Sequence, residues 1–171
     1  MIDQVMGEVL FSERDIAARV EDLAREIAPR KPDIAVPVLT GAFVFAADLL
    51  RALARLGLSL PTEFLWLRAY EAKVAGEVTV LAGPGEAVRG KSVLLIDGVL
   101  DRGATIVKAR ALLKEAGARS VLTAVAVDKL REDALAHADF ALFHGVTDFI
   151  AGYGMDHAGA QRGLPDIVRV E

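Results

Sequence analysis

The sequence predicts an α/β domain with a mainly parallel sheet flanked by helices, and three observations carry that expectation. Apolar runs of strand length alternate with stretches of helical spacing, the order in which right-handed crossovers build a parallel sheet. Residues 93–96 and 120–127 are apolar enough for strands buried on both faces. Two of the helical stretches close on glycine, at Gly57 and Gly117, as helices ending in a left-handed cap do.

Taken in order, Ser12 with Asp15 three residues later forms an N-cap signal, and residues 16–27 have helical spacing until Pro29 and Pro32 stop the helix. Residues 33–39 read as a strand, Thr40-Gly41-Ala42 as a turn, and residues 43–56 as a helix. Residues 62–69 alternate as a strand does. Residues 70–76 are a polar loop, and residues 77–81 form a strand closing on Gly83-Pro84-Gly85. The strand at 93–96 feeds a helix at 105–116, and a further buried strand covers 120–127. Short strands are expected at 139–143 and 167–170. No repeat, low-complexity tract or linker interrupts this series, so residues 1–171 read as one domain.

Composition narrows the function. With 171 residues, 53% hydrophobic and 26% charged, the chain can bury a real core. No apolar run reaches the ~18 residues of a membrane span, and the first residues lack the order of a secretion signal. A net charge of −4 argues against broad nucleic-acid binding. The absence of cysteine removes disulfides and thiolate chemistry and fits a cytoplasmic protein. His137, His144 and His157 lack zinc-ligand spacing and read as surface or structural residues. Neither a Ser-His-Asp arrangement nor a dinucleotide or Walker glycine motif is evident.

The chemistry concentrates at residues 93–105. An apolar strand ends on Asp97, a second carboxylate follows at Asp101, and Arg102-Gly103-Ala104-Thr105 lead into a helix. Ligands of open α/β sheets bind outside the carboxyl ends of strands. A Gly-containing turn at a helix N-terminus offers free amides and a positive dipole end to a phosphate. These residues suggest a phosphorylated ligand with hydroxyls or a metal ion beside it; a strand–turn–helix with solvated acids explains the same pattern. By local pattern Lys129 at a strand end reads first as a solvated cation, and Phe149 by default as a core residue.

Residues 93–105 resemble the phosphoribosyl diphosphate signature of the type I phosphoribosyltransferases, with Asp97, Asp101, Gly103 and Thr105 matching and Gly98 and Arg102 departing. Leu39-Thr40-Gly41, followed by a helix with Phe45-Ala46-Ala47-Asp48-Leu49, is similar to the first active-site loop of the hypoxanthine-guanine members, with Thr40 in place of Lys. Ala69-Tyr70 stands where that family has Ser-Tyr on a closing loop. Asp128-Lys129, then Phe149-Ile150-Ala151-Gly152-Tyr153-Gly154-Met155-Asp156, then Arg162 and Leu164-Pro165 continue the likeness in order.

The resemblance implies a type I phosphoribosyltransferase fold with a small hood formed by the terminal segments. It also implies transfer of a phosphoribosyl group from phosphoribosyl diphosphate to a 6-oxopurine, giving a nucleoside monophosphate and diphosphate, with Mg2+ as cofactor in a homo-oligomer. Asp101 would be the acid/base residue. Phosphoribosyl diphosphate would be held by Asp97, Arg102, Gly103, Ala104, Thr105, Thr40, Gly41, Tyr70 and Arg162. The purine would meet Lys129, Phe149, Ile150 and Asp156, and Asp97 and Asp156 would face the metal. Gly98 replaces a second carboxylate, so restoring an acid there is expected to tighten sugar-diphosphate binding, with Arg102 compensating at a phosphate or crowding the pocket. A competing expectation is a non-catalytic regulator of the same fold that binds a nucleotide or RNA. A generic phosphate-binding domain accounts for the first motif alone.

Overall fold

Ser12 starts the first helix through a reciprocal cap: its Oγ accepts from the Asp15 amide at 3.2 Å, and the Asp15 carboxylate accepts from the Ser12 amide at 3.3 Å. The computed structural model describes residues 7–69 and 77–170. In chain order the elements are β1 (Val9–Phe11), α1 (Glu13–Ile27), β2 (Ile34–Leu39), α2 (Phe43–Arg55), β3 (Leu65–Ala69) and β4 (Val78–Ala82). They continue with β5 (Ser92–Leu100), α3 (Ala104–Glu115), β6 (Ser120–Asp128), β7 (Phe140–His144), β8 (Ile150–Ala151) and β9 (Ile167–Arg169).

Six strands form the central sheet in the order β4-β3-β2-β5-β6-β7, parallel except for the antiparallel edge strand β4. Alternation along the buried strands divides the core. Ala35, Leu94 and Ile96 face α1 and α2, while Ile34, Val36, Val93 and Leu95 pack with Ile106, Ala109 and Leu113 of α3. Each fully buried aliphatic side chain contributes ~1.5–3 kcal/mol, so both sheet faces are firmly covered. The carboxyl ends of β2, β5 and β6 therefore sit on a rigid platform.

Two features depart from the sequence expectation. The strand expected to stop at Ile96 runs on to Leu100, because β6 continues the ladder: Asp97 pairs with Val125, Val99 with Val127 and Leu100 with Asp128. An apolar run ends where the side chains change, but a strand ends where its backbone partner does. The last strand stays out of the central sheet, in the hood that the resemblance implies for the terminal segments. It pairs antiparallel with β8 and with β1, an element the sequence reading did not contain, making a three-stranded hood. Ile150 and Ile167 carry the hood into the same core as Leu94 and Phe45. No helix among the described residues is long and apolar enough to cross a membrane.

Candidate active site

The hood, the β2–α2 turn and the exit of β5 enclose a cleft of about 520 Å³. Ten of the residues proposed from sequence line it: Thr40, Gly41, Asp97, Asp101, Thr105, Lys129, Phe149, Ile150, Asp156 and Arg162. Arg102, Gly103 and Ala104 lie outside this lining, although Gly103 shapes the loop as the left-handed N-cap of α3 (φ 84°). Tyr70 lies outside the described residues.

Asp101 follows the end of β5. Its Oδ2 lies 3.5 Å from Lys129 Nζ, and its Oδ1 is 3.3 Å from Arg131 Nε. That Oδ1 atom is shielded from solvent and faces the Arg131 guanidinium. Lys129 is 9% exposed and donates to the Asp148 carbonyl at 2.9 Å. Phe149, 53% exposed, offers its ring to the cleft and meets His157 edge-on at 5.9 Å. His157 thus has a contact at the site that spacing alone did not reveal.

Arg162 is fixed by two partners, donating to the Gly154 carbonyl at 2.8 Å and pairing with Asp156 at 2.7 Å. The Asp156 carboxylate also accepts from the Gly159 amide at 2.9 Å. Arg102 points elsewhere: its guanidinium is exposed and lies 3.8 Å from Asp133. It therefore neither fills the space beside Gly98 nor faces the cleft. Its carbonyl accepts from the Leu135 amide at 2.8 Å, which ties the 131–136 segment to the loop.

Gly98 is crowded from outside. A Cβ there would lie 3.0 Å from the Gly41 carbonyl oxygen, 3.2 Å from its carbon and 3.4 Å from Met155 Cγ. Gly154 approaches the same carbonyl, at 2.8 Å for its own added Cβ. The Thr40-Gly41 turn is thus wedged between β5 and the hood, with glycine on either side. The Leu39–Thr40 peptide is cis.

Asp97 is almost enclosed, and Oδ1 accepts from the Gly98 amide at 2.7 Å. Burial pushes its carboxyl up to about 7, with the Gly98 amide pulling the other way. A pKa raised on folding means the folded form holds a proton that the unfolded chain releases near 3.8. Stability from this group is therefore full below that value and is lost as pH rises through about 7. The ceiling of the effect is roughly 4 kcal/mol. In EDTA, Asp97→Asn is expected to be more stable than the parent at pH 8, with the gap narrowing at pH 5 in urea melts. A gap independent of pH would refute this.

Comparison with known proteins decides the family. The model of the phosphoribosyl transferase domain matches residues 8–157. The chain belongs to the phosphoribosyl transferase family. It is 34% identical to a hypoxanthine-guanine phosphoribosyltransferase of Aquifex aeolicus, over 96% of this chain and 94% of the relative. A hypoxanthine phosphoribosyltransferase of Escherichia coli (strain K12) is 32% identical, over 95% and 94%. Among solved structures, the hypoxanthine phosphoribosyltransferase of Trypanosoma cruzi in complex with the product IMP superposes with a TM-score of 0.88 at 27% identity, covering 100% of this chain and 97% of that one. These relatives set the chain among the purine phosphoribosyltransferases.

Several residues of the candidate site carried no functional reading in the sequence. Arg131 reaches Asp101, Trp66 and Arg68 line the cleft, and Met155 abuts Gly98. A Trp left 42% exposed on a buried strand's alternation was the one available signal, since it breaks the apolar-inside rule. Tyr153 instead serves the scaffold: its hydroxyl donates to Asp48 at 2.8 Å, joining the hood to α2.

Proposed function

We propose that this phosphoribosyltransferase joins a 6-oxopurine to phosphoribosyl diphosphate, releasing diphosphate and forming the nucleoside monophosphate in purine salvage. One observation carries the reading: an ammonium and a carboxylate stand side by side, 3.5 Å apart, beside an exposed ring. A 6-oxopurine presents O6, an acceptor, and N7, a proton carrier, on one edge. Lys129 offers donors only, so it matches O6 and mismatches a 6-amino group. Asp101 matches the N7 proton, and Phe149 supplies a face for stacking. The Asp101 carboxylate beside Lys129 in the cleft favours the enzyme over a nucleotide- or RNA-binding regulator, which has no use for an acid/base group.

In this account the purine lies against Phe149, with the Ile150 backbone and the Asp156 segment at its edge. Asp101 takes the N7 proton as the new bond forms and faces the positive charge that develops on the ribosyl ring. The 5′-phosphate meets the amides of Arg102, Gly103, Ala104 and Thr105 with the Thr105 hydroxyl, since the first amides of α3 lack intrahelical partners. The Thr40-Gly41 turn and Arg162 hold the diphosphate, and Tyr70 is proposed as a further contact to it. The ribose hydroxyls fall to Asp97.

No cluster of three metal-ligating side chains occurs among the described residues. That suits Mg2+, which takes one or two carboxylates together with substrate oxygens rather than a protein cage. The buried Asp97 carboxylate, whose Oδ1 accepts from the Gly98 amide, is a fitting oxygen donor, and Asp156 would share its carboxylate between Arg162 and the ion. When bound, Mg2+ neutralises the diphosphate leaving group. The unit of function is a single domain of residues 1–171, acting in the cytoplasm. Val80 and Leu81, exposed on the edge strand β4, support association of copies into a homo-oligomer.

Kinetics of Lys129→Gln test the base site. Glutamine presents either a donor or an acceptor, so the preference for hypoxanthine and guanine over adenine should narrow by ~10-fold or more, the worth of an unpaired buried group. An unaltered preference would remove Lys129 from the base site.

A further inference from the structure

We propose that Arg169, in the hood, is a positioning residue that sets selectivity at purine position 6 by holding Asp148, and through it the Lys129 ammonium. The inference rests on the reading of Lys129 given above and goes beyond it to what aims that side chain.

A lysine stem has four rotatable bonds, so an ammonium selects a ligand atom well only if other groups fix it. Lys129 has three donors. One meets the Asp148 carbonyl at 2.9 Å, and Asp101 draws a second at 3.5 Å, leaving a third for a ligand in the cleft. The direction of that third donor depends on where the Asp148 carbonyl stands. Asp148 lies in the irregular segment between β7 and β8, with no ladder of its own.

The tether is Arg169 on β9. Its Nη2 donates to Asp148 Oδ2 at 3.2 Å, and its Nε lies 3.0 Å from Oδ1 as a charge contact off the hydrogen-bonding line. Arg169 is itself anchored twice by Glu8. Its amide donates to the Glu8 carbonyl at 2.7 Å, and its Nη1 donates to the Glu8 carboxylate at 2.6 Å. Next along, the Val170 amide holds the Phe149 carbonyl at 2.9 Å. Arg169 is 42% exposed, so the ion pair adds little stability. Its use is geometric: a planar guanidinium that meets both carboxylate oxygens, one by a hydrogen bond and one by a close charge contact, fixes orientation, which a single ammonium does not.

Titration calorimetry of inosine 5′-monophosphate and its 6-unsubstituted counterpart tests this on the parent, Arg169→Lys, Arg169→Gln and Asp148→Asn. The parent should bind the 6-oxo nucleotide ~10–100-fold tighter, the worth of a hydrogen bond to a charged donor. Arg169→Gln and Asp148→Asn should each cut that ratio at least ~3-fold by weakening the 6-oxo nucleotide alone, with Arg169→Lys between. Equal weakening of both nucleotides, or no change in either, overturns the proposal, since the hood would then only hold the base segment. A parent without preference overturns the Lys129 reading, and this inference with it. Asp148→Asn keeps backbone and shape, so the test survives if a change at Arg169 impairs folding.

Discussion

Asp101→Asn is expected to lower kcat by ~10²–10⁴-fold while leaving the Kd for phosphoribosyl diphosphate within a few-fold of the parent. The geometry separates the two effects. Asp101 stands against Lys129 and Arg131, where the purine is proposed to lie, whereas the sugar and phosphate contacts are assigned to Asp97 and the amides at the start of α3. Asparagine keeps the shape and one acceptor but cannot take the N7 proton. It also removes the negative charge facing the ribosyl ring as that ring becomes cationic. Single-turnover kinetics with equilibrium binding of the sugar substrate check it. Undiminished turnover would remove Asp101 from the acid/base role.

Gly98→Asp is expected to weaken phosphoribosyl diphosphate binding, by up to ~10-fold, the reverse of what the resemblance in sequence implied. An acid there offers another acceptor for a ribose hydroxyl, worth ~1.5–3 kcal/mol where charged. The new Cβ, however, would lie 3.0 Å from a backbone oxygen and 3.2 Å from a backbone carbon of Gly41. Such a neighbour is no flexible side-chain end, and overpacking of this kind typically costs ~1–3 kcal/mol. Relief requires moving the Thr40-Gly41 turn, which is the proposed diphosphate contact. Gly98→Ala isolates the steric part and should weaken binding as well. Tighter binding by Gly98→Asp would show that the turn yields readily and that the lost acid was simply missing.

These two residues also show what was legible in the chain. Asp101 could be found because strand, carboxylate, glycine turn and helix follow one another locally, and the fold keeps that order in space. Lys129 and Phe149 were reached only through the resemblance, since by local pattern they read as a solvated cation and a core residue. The packing of Gly98 could not be read, because its neighbours Gly41 and Met155 are distant in sequence and meet only when the hood closes over β5. The hood strand β1 was missed for a similar reason. Three residues paired antiparallel to β9 leave no periodicity long enough to notice. Arg102 was assigned to phosphate from its position in the loop, yet its long side chain turns outward to Asp133. Backbone position follows from local sequence far better than the direction of a flexible charged side chain.

The most direct measurement is purine-dependent release of diphosphate from phosphoribosyl diphosphate and Mg2+, run separately with hypoxanthine, guanine, xanthine and adenine. Diphosphate release and nucleoside monophosphate formation are expected with one or more of the 6-oxopurines, with at least ~10-fold lower kcat/KM for adenine, whose 6-amino group would face the donors of Lys129. Release at equal rates with adenine, or none with any base while nucleotide binding persists, would contradict the proposed function.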